Sequence, residues 1–248
     1  MRNYWKVVNQ VIKESDVLLL ILDARFIDET RNPEIEEKVK NEGKPLIYVI
    51  TKSDLAPRQA SEDAKRKLSP SVFVSARDHH GSIRLKERII IEGNRAYGKK
   101  ESYMVGVLGY PNVGKSSLIN LMRGRHSAST SALSGHTKGV QWIRSDSRIM
   151  FIDTPGVIPF GEEDEAKHVA IGTVDFTKAR DPDLAVMELM RRLPGKFEAY
   201  YGVPAGEDME ATLEAIALKR NVLMTGGVAD VMRMARTIIR DFQMGKIR

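Results

Sequence analysis

A glycine-rich segment near the middle of the chain has the residue types that bind nucleotide phosphates. Residues 109–116 read G-Y-P-N-V-G-K-S and lie between an apolar run and a helical pattern. Glycines let backbone N–H groups turn toward phosphate oxygens, and the start of a helix adds positive potential. Lys115 would place a positive charge at the phosphates, and the Ser116 hydroxyl would bind Mg²⁺. The segment therefore predicts a P-loop and a nucleoside triphosphate ligand.

A second phosphate-related pattern follows the P-loop. Residues 153–156 read D-T-P-G and close a predicted strand. The Asp153 carboxylate would reach Mg²⁺ through water, and the Gly156 N–H would meet a γ-phosphate. The D-x-x-G pattern is common by itself, so its value comes from its place behind a P-loop.

The base is indicated by residues upstream of the P-loop. Guanine is recognised by an Asp in the pattern [NT]-K-x-D, whose carboxylate accepts hydrogen bonds from N1–H and N2–H₂. Residues 51–54 read T-K-S-D after one predicted strand, and Ser75-Ala76 end the next. Downstream of Asp153 the nearest approach, residues 177–180, has Arg where the Asp is needed. An adenine-specific ATPase is disfavoured by Asp54 and by the order of the motifs.

In this order the motifs resemble those of the circularly permuted GTPases, and more narrowly of the RbgA/YlqF group of ribosome-assembly GTPases. Asp23-Ala24-Arg25 after the first strand, Y-Y-G-V-P at 200–204 and M-T-G-G at 224–227 are similar to that group. The resemblance spans nearly the whole chain. It implies GTP and GDP as ligands, Mg²⁺, a K⁺ ion, and GTP hydrolysis.

The resemblance also implies roles for single residues. Asp54 and the Ala76 N–H would bind guanine, Lys52 would lie against the purine face, and Ser117 would meet the α-phosphate. Thr137, in the polar loop 127–139, would be the Mg²⁺-binding threonine of a switch loop. The predicted nucleotide-binding set is Thr51, Lys52, Asp54, Ser75, Ala76, Asn112, Val113, Gly114, Lys115, Ser116, Ser117, Thr137, Asp153 and Gly156. The predicted catalytic residues are Lys115, Thr137, Gly156 and Asn112, and the predicted metal ligands are Ser116, Thr137 and Asp153.

Several positions depart from related GTPases. Thr51 replaces the commoner Asn, which removes an amide that braces the P-loop, and no histidine precedes His79, where the group often has one. Val157 stands where Ras-like GTPases have a glutamine that orients water, and valine cannot do so. The resemblance implies that Asn112 helps to hold K⁺; the alternative is a polar loop residue with no such role. We expect slow intrinsic GTP hydrolysis, on the order of 10⁻⁴ s⁻¹, which becomes faster when a partner binds.

The elements that must position these residues follow from hydrophobic periodicity. Apolar runs at 17–22, 45–50, 71–75 and 103–108 alternate with helical patterns at 3–15, 33–42, 57–68 and 82–92, which indicates βαβ units. Residues 139–144 and 148–153 predict a hairpin, giving an α/β sheet of about six strands with helices on both faces. We expect a GTP-binding domain over 1–160 and a small all-helical domain over 161–248, whose last helix covers about 228–242.

Charge and composition bear on partners. The net charge is +6, and residues 219–248 carry seven basic against two acidic side chains. This asymmetry favours rRNA or a ribosomal particle as partner, although a solvated helix face would look the same. The chain has no cysteine, no apolar run that could span a bilayer and no leader pattern, so we expect a cytoplasmic protein without a membrane partner. We also expect a monomer.

Two functions remain. The first is a GTP-hydrolysing switch in assembly of the large ribosomal subunit, bound to RNA through the basic helical domain. The alternative is a GTP-regulated RNA-binding scaffold with negligible hydrolysis.

Overall fold

A computed structural model describes residues 2–56, 58–123, 141–145, 147–153, 168–169, 171–172, 177 and 179–247. The chain divides into two compact units, residues Met1–Gly161 and Glu162–Arg248. Among the described residues, no helix is both long enough and apolar enough to span a lipid bilayer.

The described residues of the first unit form a six-stranded sheet, as the alternating pattern predicted. Its strands are β1 (Val17–Asp23), β2 (Leu46–Thr51), β3 (Ser71–Phe73), β4 (Tyr103–Leu108), β5 (Gln141–Arg144) and β6 (Ile149–Asp153). Their order across the sheet is β3-β2-β1-β4-β6-β5. Neighbouring strands are parallel except β5 and β6, which pair antiparallel and confirm the predicted hairpin. Because β2, β1 and β4 are parallel, the segments that follow them emerge at one edge of the sheet.

Helices cover both faces of this sheet. They are α1 (Arg2–Glu14), α2 (Ile27–Thr30), α3 (Pro33–Asn41), α4 (Arg58–Lys67), α5 (Ser82–Tyr97) and α6 (Lys115–Arg123). Helix α5 continues to Tyr97, beyond the predicted end at residue 92, because Gly93 does not break it. A Cβ added at Gly93 would lie 2.7 Å from the Tyr103 ring, so the glycine lets helix and strand pack closely. Gly98, with φ of 73°, ends the helix.

Strand β1 forms the centre of the core. All seven of its residues are buried, which explains its unbroken apolar run. Leu19 and Ile21 belong to one core cluster together with Leu85 of α5 and Leu118 of α6. On the other face, alternate residues of β1 join a second cluster that includes residues of α1 and α3. Parallel pairing with β2 on one side and β4 on the other places β1 between these two strands.

The second unit is helical in its described part. Its helices are α7 (Pro182–Arg192), α8 (Lys196–Tyr201), α9 (Met209–Lys219) and α10 (Val231–Gln243). Helix α10 begins at Val231 and not near 228 as predicted. Gly226 and Gly227 have positive φ angles, and the Asp230 side chain accepts a hydrogen bond from the Arg233 N–H as the helix cap.

The periodic apolar face of α10 packs in this unit. The buried residues of the helix are the apolar Met234, Ala235, Ile238, Ile239 and Phe242, together with Asp241. The spacing of Arg233, Arg236 and Arg240 predicts a separate basic stripe on this helix, and in the structure Arg233 and Arg236 are exposed and Arg240 is half-buried. Packing therefore separates the apolar and basic faces as the 3.6-residue period predicted.

Candidate nucleotide-binding site

The predicted P-loop connects the end of β4 to the start of α6. Gly109, Asn112 and Gly114 have φ angles of 146°, 59° and 106°. A Cβ at Gly109 would lie 2.7 Å from the Ile21 carbonyl oxygen, so the loop cannot accept a larger residue there without moving. These conformations explain the spacing of the two glycines in the motif.

The Lys115 side chain lies inside the loop that it closes. Lys115 is buried, and its Nζ donates to the carbonyl oxygens of Gly109 at 3.0 Å and Tyr110 at 2.6 Å. Ser116 and Ser117 are exposed in the first turn of α6. The ammonium group, the helix start and two accessible hydroxyls thus come together at the end of β4, as phosphate binding requires.

The base-recognition segment follows β2, and the Ser-Ala segment lies just beyond β3. The Ser75 hydroxyl donates to Asp54 Oδ1 at 2.9 Å, and the Asp78 backbone N–H donates to the same hydroxyl at 3.0 Å. Asp54 and Ala76 are both partly exposed. The structure therefore orients the Asp54 carboxylate through Ser75, which gives Ser75 a specific task within the predicted set.

Two side chains connect the base segment to the P-loop. Lys52 Nζ donates to the Asn112 carbonyl oxygen at 2.9 Å. The buried Thr51 hydroxyl contacts the Leu22 carbonyl oxygen at 2.9 Å and also the Val113 carbonyl oxygen. Thr51 lacks the amide of the commoner Asn, yet its hydroxyl keeps a side-chain brace on the P-loop. Residues about sixty positions apart in sequence thus form one site.

A buried carboxylate lies behind this connection. Asp23, the last residue of β1, is fully buried and forms ion pairs with Arg25 at 2.8 Å and Lys52 at 2.7 Å. Burial opposes ionisation of Asp23, but the Lys52 ammonium and the Arg25 guanidinium outweigh it and hold the pKa well below its usual range. Motif spacing did not select either Asp23 or Arg25 as a site residue. The sequence signal that could have identified them was an Asp and an Arg at the end of the unbroken apolar run 17–22.

Some of the remaining predicted site residues lie outside the residues that the structure describes. Asp153 ends β6, which runs parallel to β4 with Ile152 paired to Gly106, so the backbone of Asp153 lies near the start of the P-loop. Thr137, Gly156 and Val157 lie outside the described residues. Their roles, and the metal ligation by Ser116, Thr137 and Asp153, stay predictions. The described residues include no cluster of His, Asp and Glu suited to hold a metal.

The chain is similar in sequence to GTP-binding proteins. A family model described as 50S ribosome-binding GTPase matches residues 104–214. An uncharacterized GTP-binding protein of Methanocaldococcus jannaschii is 41% identical over 98% of this chain and 65% of its own length. Nucleolar GTP-binding protein 2 of Saccharomyces cerevisiae is 30% identical over 99% of this chain and 52% of its own length. The chain thus spans between half and two thirds of these relatives.

Solved structures share the fold. The crystal structure of GNP-bound YlqF from T. maritima superposes with a TM-score of 0.66, covering 98% of this chain and 94% of that one at 20% identity. The GDP-bound form of YlqF from the same source gives the same TM-score over 96% of this chain. At this identity the likeness concerns the fold.

Proposed function

We propose that the chain is a circularly permuted GTPase of the RbgA/YlqF type and that it acts as a GTP-hydrolysing switch in assembly of the large ribosomal subunit; its likeness to GTP-binding proteins and to the YlqF fold supports this. The observation that carries the proposal is the hydrogen bond from Lys52 to the Asn112 carbonyl, which joins the guanine segment to the P-loop. A cytoplasmic location and a monomeric state form part of the same proposal.

Guanine selection is assigned to Asp54. Its carboxylate accepts from Ser75, and the two donors at the Watson–Crick edge of guanine would use its remaining acceptor capacity. Adenine has no N1–H and no 2-amino group, so it would leave the carboxylate without these donors. The site therefore favours GTP and GDP over adenine nucleotides.

We assign Mg²⁺ to the phosphate end, with the exposed Ser116 hydroxyl and Asp153 among its protein ligands. Hydroxyl and carboxylate oxygens are the hard ligands that this ion prefers. When bound, Mg²⁺ neutralises charge on the β- and γ-phosphates. We assign Thr137 as the third protein ligand, the Gly156 N–H to the γ-phosphate, and the Asn112 side chain to a K⁺ ion.

The basic face of the helical unit is the proposed contact with rRNA. Helix α10 exposes Arg233 and Arg236. The same unit has a groove of about 630 Å³ lined by Pro194, Gly195, Lys196, Ala199, Tyr200 and Lys246. Ammonium groups suit phosphates, and an exposed tyrosine ring suits an unpaired base. The names of the similar proteins, a 50S ribosome-binding GTPase family and a nucleolar GTP-binding protein, agree with a ribosomal particle as partner.

Turnover with and without ribosomal particles tests the enzyme proposal. We expect hydrolysis on the order of 10⁻⁴ s⁻¹ for the protein alone, and at least tenfold faster hydrolysis with purified large subunits in K⁺ buffer. Replacing K⁺ by Na⁺ at equal ionic strength should remove much of the stimulation. Small subunits provide the matched control. Equal rates with and without every particle would contradict a partner-activated GTPase.

A non-hydrolysing scaffold remains the second candidate because Val157 cannot orient a water molecule. Single-turnover measurements on the particle-bound protein distinguish the two. A scaffold would retain GTP for hours while bound to RNA, whereas the proposed switch would release phosphate.

A further inference from the structure

The end of β1 occupies a central position in the site without contributing a residue to the predicted nucleotide contacts. In the sheet, β1 lies between β2, which leads into the base segment, and β4, which leads into the P-loop. Its last residue, Asp23, is paired in register with Thr51. A group at this point can act on both loops at once.

The Asp23 carboxylate is held by four hydrogen bonds. Oδ1 accepts from the Arg25 backbone N–H and from Arg25 Nε, each at 3.0 Å. Oδ2 accepts from Arg25 Nη2 at 2.8 Å and from Lys52 Nζ at 2.7 Å. The Arg25 side chain is itself only 3% exposed. A planar guanidinium that binds both oxygens fixes the orientation of the carboxylate, which a single ammonium group could not do.

The Lys52 ammonium group donates hydrogen bonds to two partners in different segments of the chain. One hydrogen bond goes to Asp23 and the other to the Asn112 carbonyl of the P-loop. Lys52 has a left-handed backbone conformation, with φ of 54°, which is uncommon for residues other than glycine. Its long side chain has many rotamers, so an anchored ammonium group needs a fixed counter-charge.

We infer that Asp23 and Arg25 are positioning residues for guanine nucleotide binding. Arg25 orients the Asp23 carboxylate, Asp23 holds the Lys52 ammonium against Asn112, and the base segment and P-loop thereby keep their relative position. This inference rests on the proposed GTP-binding function.

A purely structural role predicts something different. Asp23 also stabilises its own loop, since its backbone N–H donates to Thr30 Oγ1 at 3.1 Å. If the carboxylate served only the stability of this loop, its loss would affect nucleotide affinity equally whether or not Lys52 carried a charge. If it acts through Lys52, its effect requires the ammonium group.

A double-mutant cycle between Asp23→Asn and Lys52→Met separates these roles. Methionine keeps the apolar stem that would lie against the purine and removes the ammonium group. Affinity for fluorescently labelled GDP is measured by titration for the wild type, both single variants and the double variant. We expect Asp23→Asn to weaken binding about tenfold in the wild type and less than twofold in the Lys52→Met background.

The control variant changes an aspartate at the other end of β1. Asp16 immediately precedes β1, pairs with Lys100 at 2.8 Å and accepts from the Met104 N–H at 2.9 Å. Asp16→Asn therefore removes a carboxylate that also pairs with a lysine and a backbone N–H, although it is more exposed than Asp23 and lies away from the nucleotide loops, and it should leave GDP affinity unchanged. If Asp23→Asn does not fold, Arg25→Lys replaces it in the cycle, because lysine keeps the charge and loses the two-point contact. Its expected loss is about threefold.

The outcomes are distinguishable. A tenfold loss that persists in the Lys52→Met background would overturn the inference and leave a structural role, as would unchanged affinity of folded Asp23→Asn. Failure of the wild type to bind guanine nucleotide would instead overturn the proposed function.

Discussion

The substitution Asp54→Asn should change the base that the protein selects. The carboxylate is oriented by the Ser75 hydroxyl at 2.9 Å and would accept two hydrogen bonds from guanine. An asparagine amide offers one acceptor and one donor group, so it opposes the guanine donors. The same amide matches xanthine, which has a carbonyl oxygen where guanine has the 2-amino group.

The size of the effect follows from the two hydrogen bonds lost. A hydrogen bond to a charged group contributes about 1.5–3 kcal/mol, so the pair is worth about 3–6 kcal/mol. Because Asp54 is partly exposed, the lower end applies. At about 1.4 kcal/mol per factor of ten, GTP affinity should fall roughly 10²-fold.

Competition against fluorescently labelled nucleotide measures this shift. GTP, XTP and ATP compete for the site in wild type, Asp54→Asn and a control, Asp63→Asn, which removes an exposed carboxylate from α4. We expect the wild type and the control to prefer GTP and Asp54→Asn to prefer XTP. If Asp54→Asn keeps GTP affinity within threefold, or binds XTP no better than the wild type does, the assignment of Asp54 to the base is wrong.

Four further predictions concern other parts of the molecule. Lys115→Ala removes the buried ammonium group of the P-loop and should lower kcat/KM at least 10²-fold in a phosphate-release assay; near-normal turnover would exclude Lys115 from the site. Thr51→Val leaves the Val113 carbonyl without its side-chain donor and should lower the free energy of unfolding by about 1–2 kcal/mol in urea titrations, with weaker GDP binding. The pKa of Asp23 is held below its unfolded value of about 3.9, so its contribution to stability is complete above about pH 5 and is lost as the pH falls through 4 and below. In urea titrations from about pH 3 to 6, the free energy of unfolding of Asp23→Asn should therefore change less with pH than that of the wild type. Changing the three arginines of the basic α10 stripe to glutamine should make the plot of log affinity for rRNA against log salt shallower by about 2 and leave GTP affinity intact, whereas an unchanged slope would place RNA elsewhere.

Local patterns predicted the elements well where burial is regular. The run at 17–22 is fully buried in β1, and the hairpin of β5 and β6 has its predicted antiparallel pairing. Helix ends were harder to predict, because Gly93 acts through its contact with Tyr103, which is a tertiary feature absent from the local sequence. The start of α10 was misplaced for a similar reason: two glycines with positive φ precede the Asp230 cap.

The site residues also fall into those that local motifs predicted and those that depend on the fold. Motif spacing brought the P-loop, Asp54 and Ser75 into the predicted set, because their residue types are required by phosphate and base chemistry. The connection from Lys52 to Asn112 depends on the order of β2, β1 and β4 in space, which no local pattern contains. The ion pair of Asp23 with Arg25 and Lys52 was missed for the same reason, since its function lies in holding another side chain.

Nucleotide-dependent binding to ribosomal subunits is the most direct test of the proposed switch. Co-sedimentation with purified large subunits is measured with GDP and with a non-hydrolysable GTP analogue, for the wild type and for Asp54→Asn. A coupling of about 1–3 kcal/mol predicts 5- to 150-fold tighter binding in the GTP-like state, and the subunit should raise affinity for the analogue by the same factor. In Asp54→Asn the xanthosine analogue should replace the guanosine analogue as the effective ligand. Equal binding of the wild type in both nucleotide states would contradict the switch and favour the scaffold.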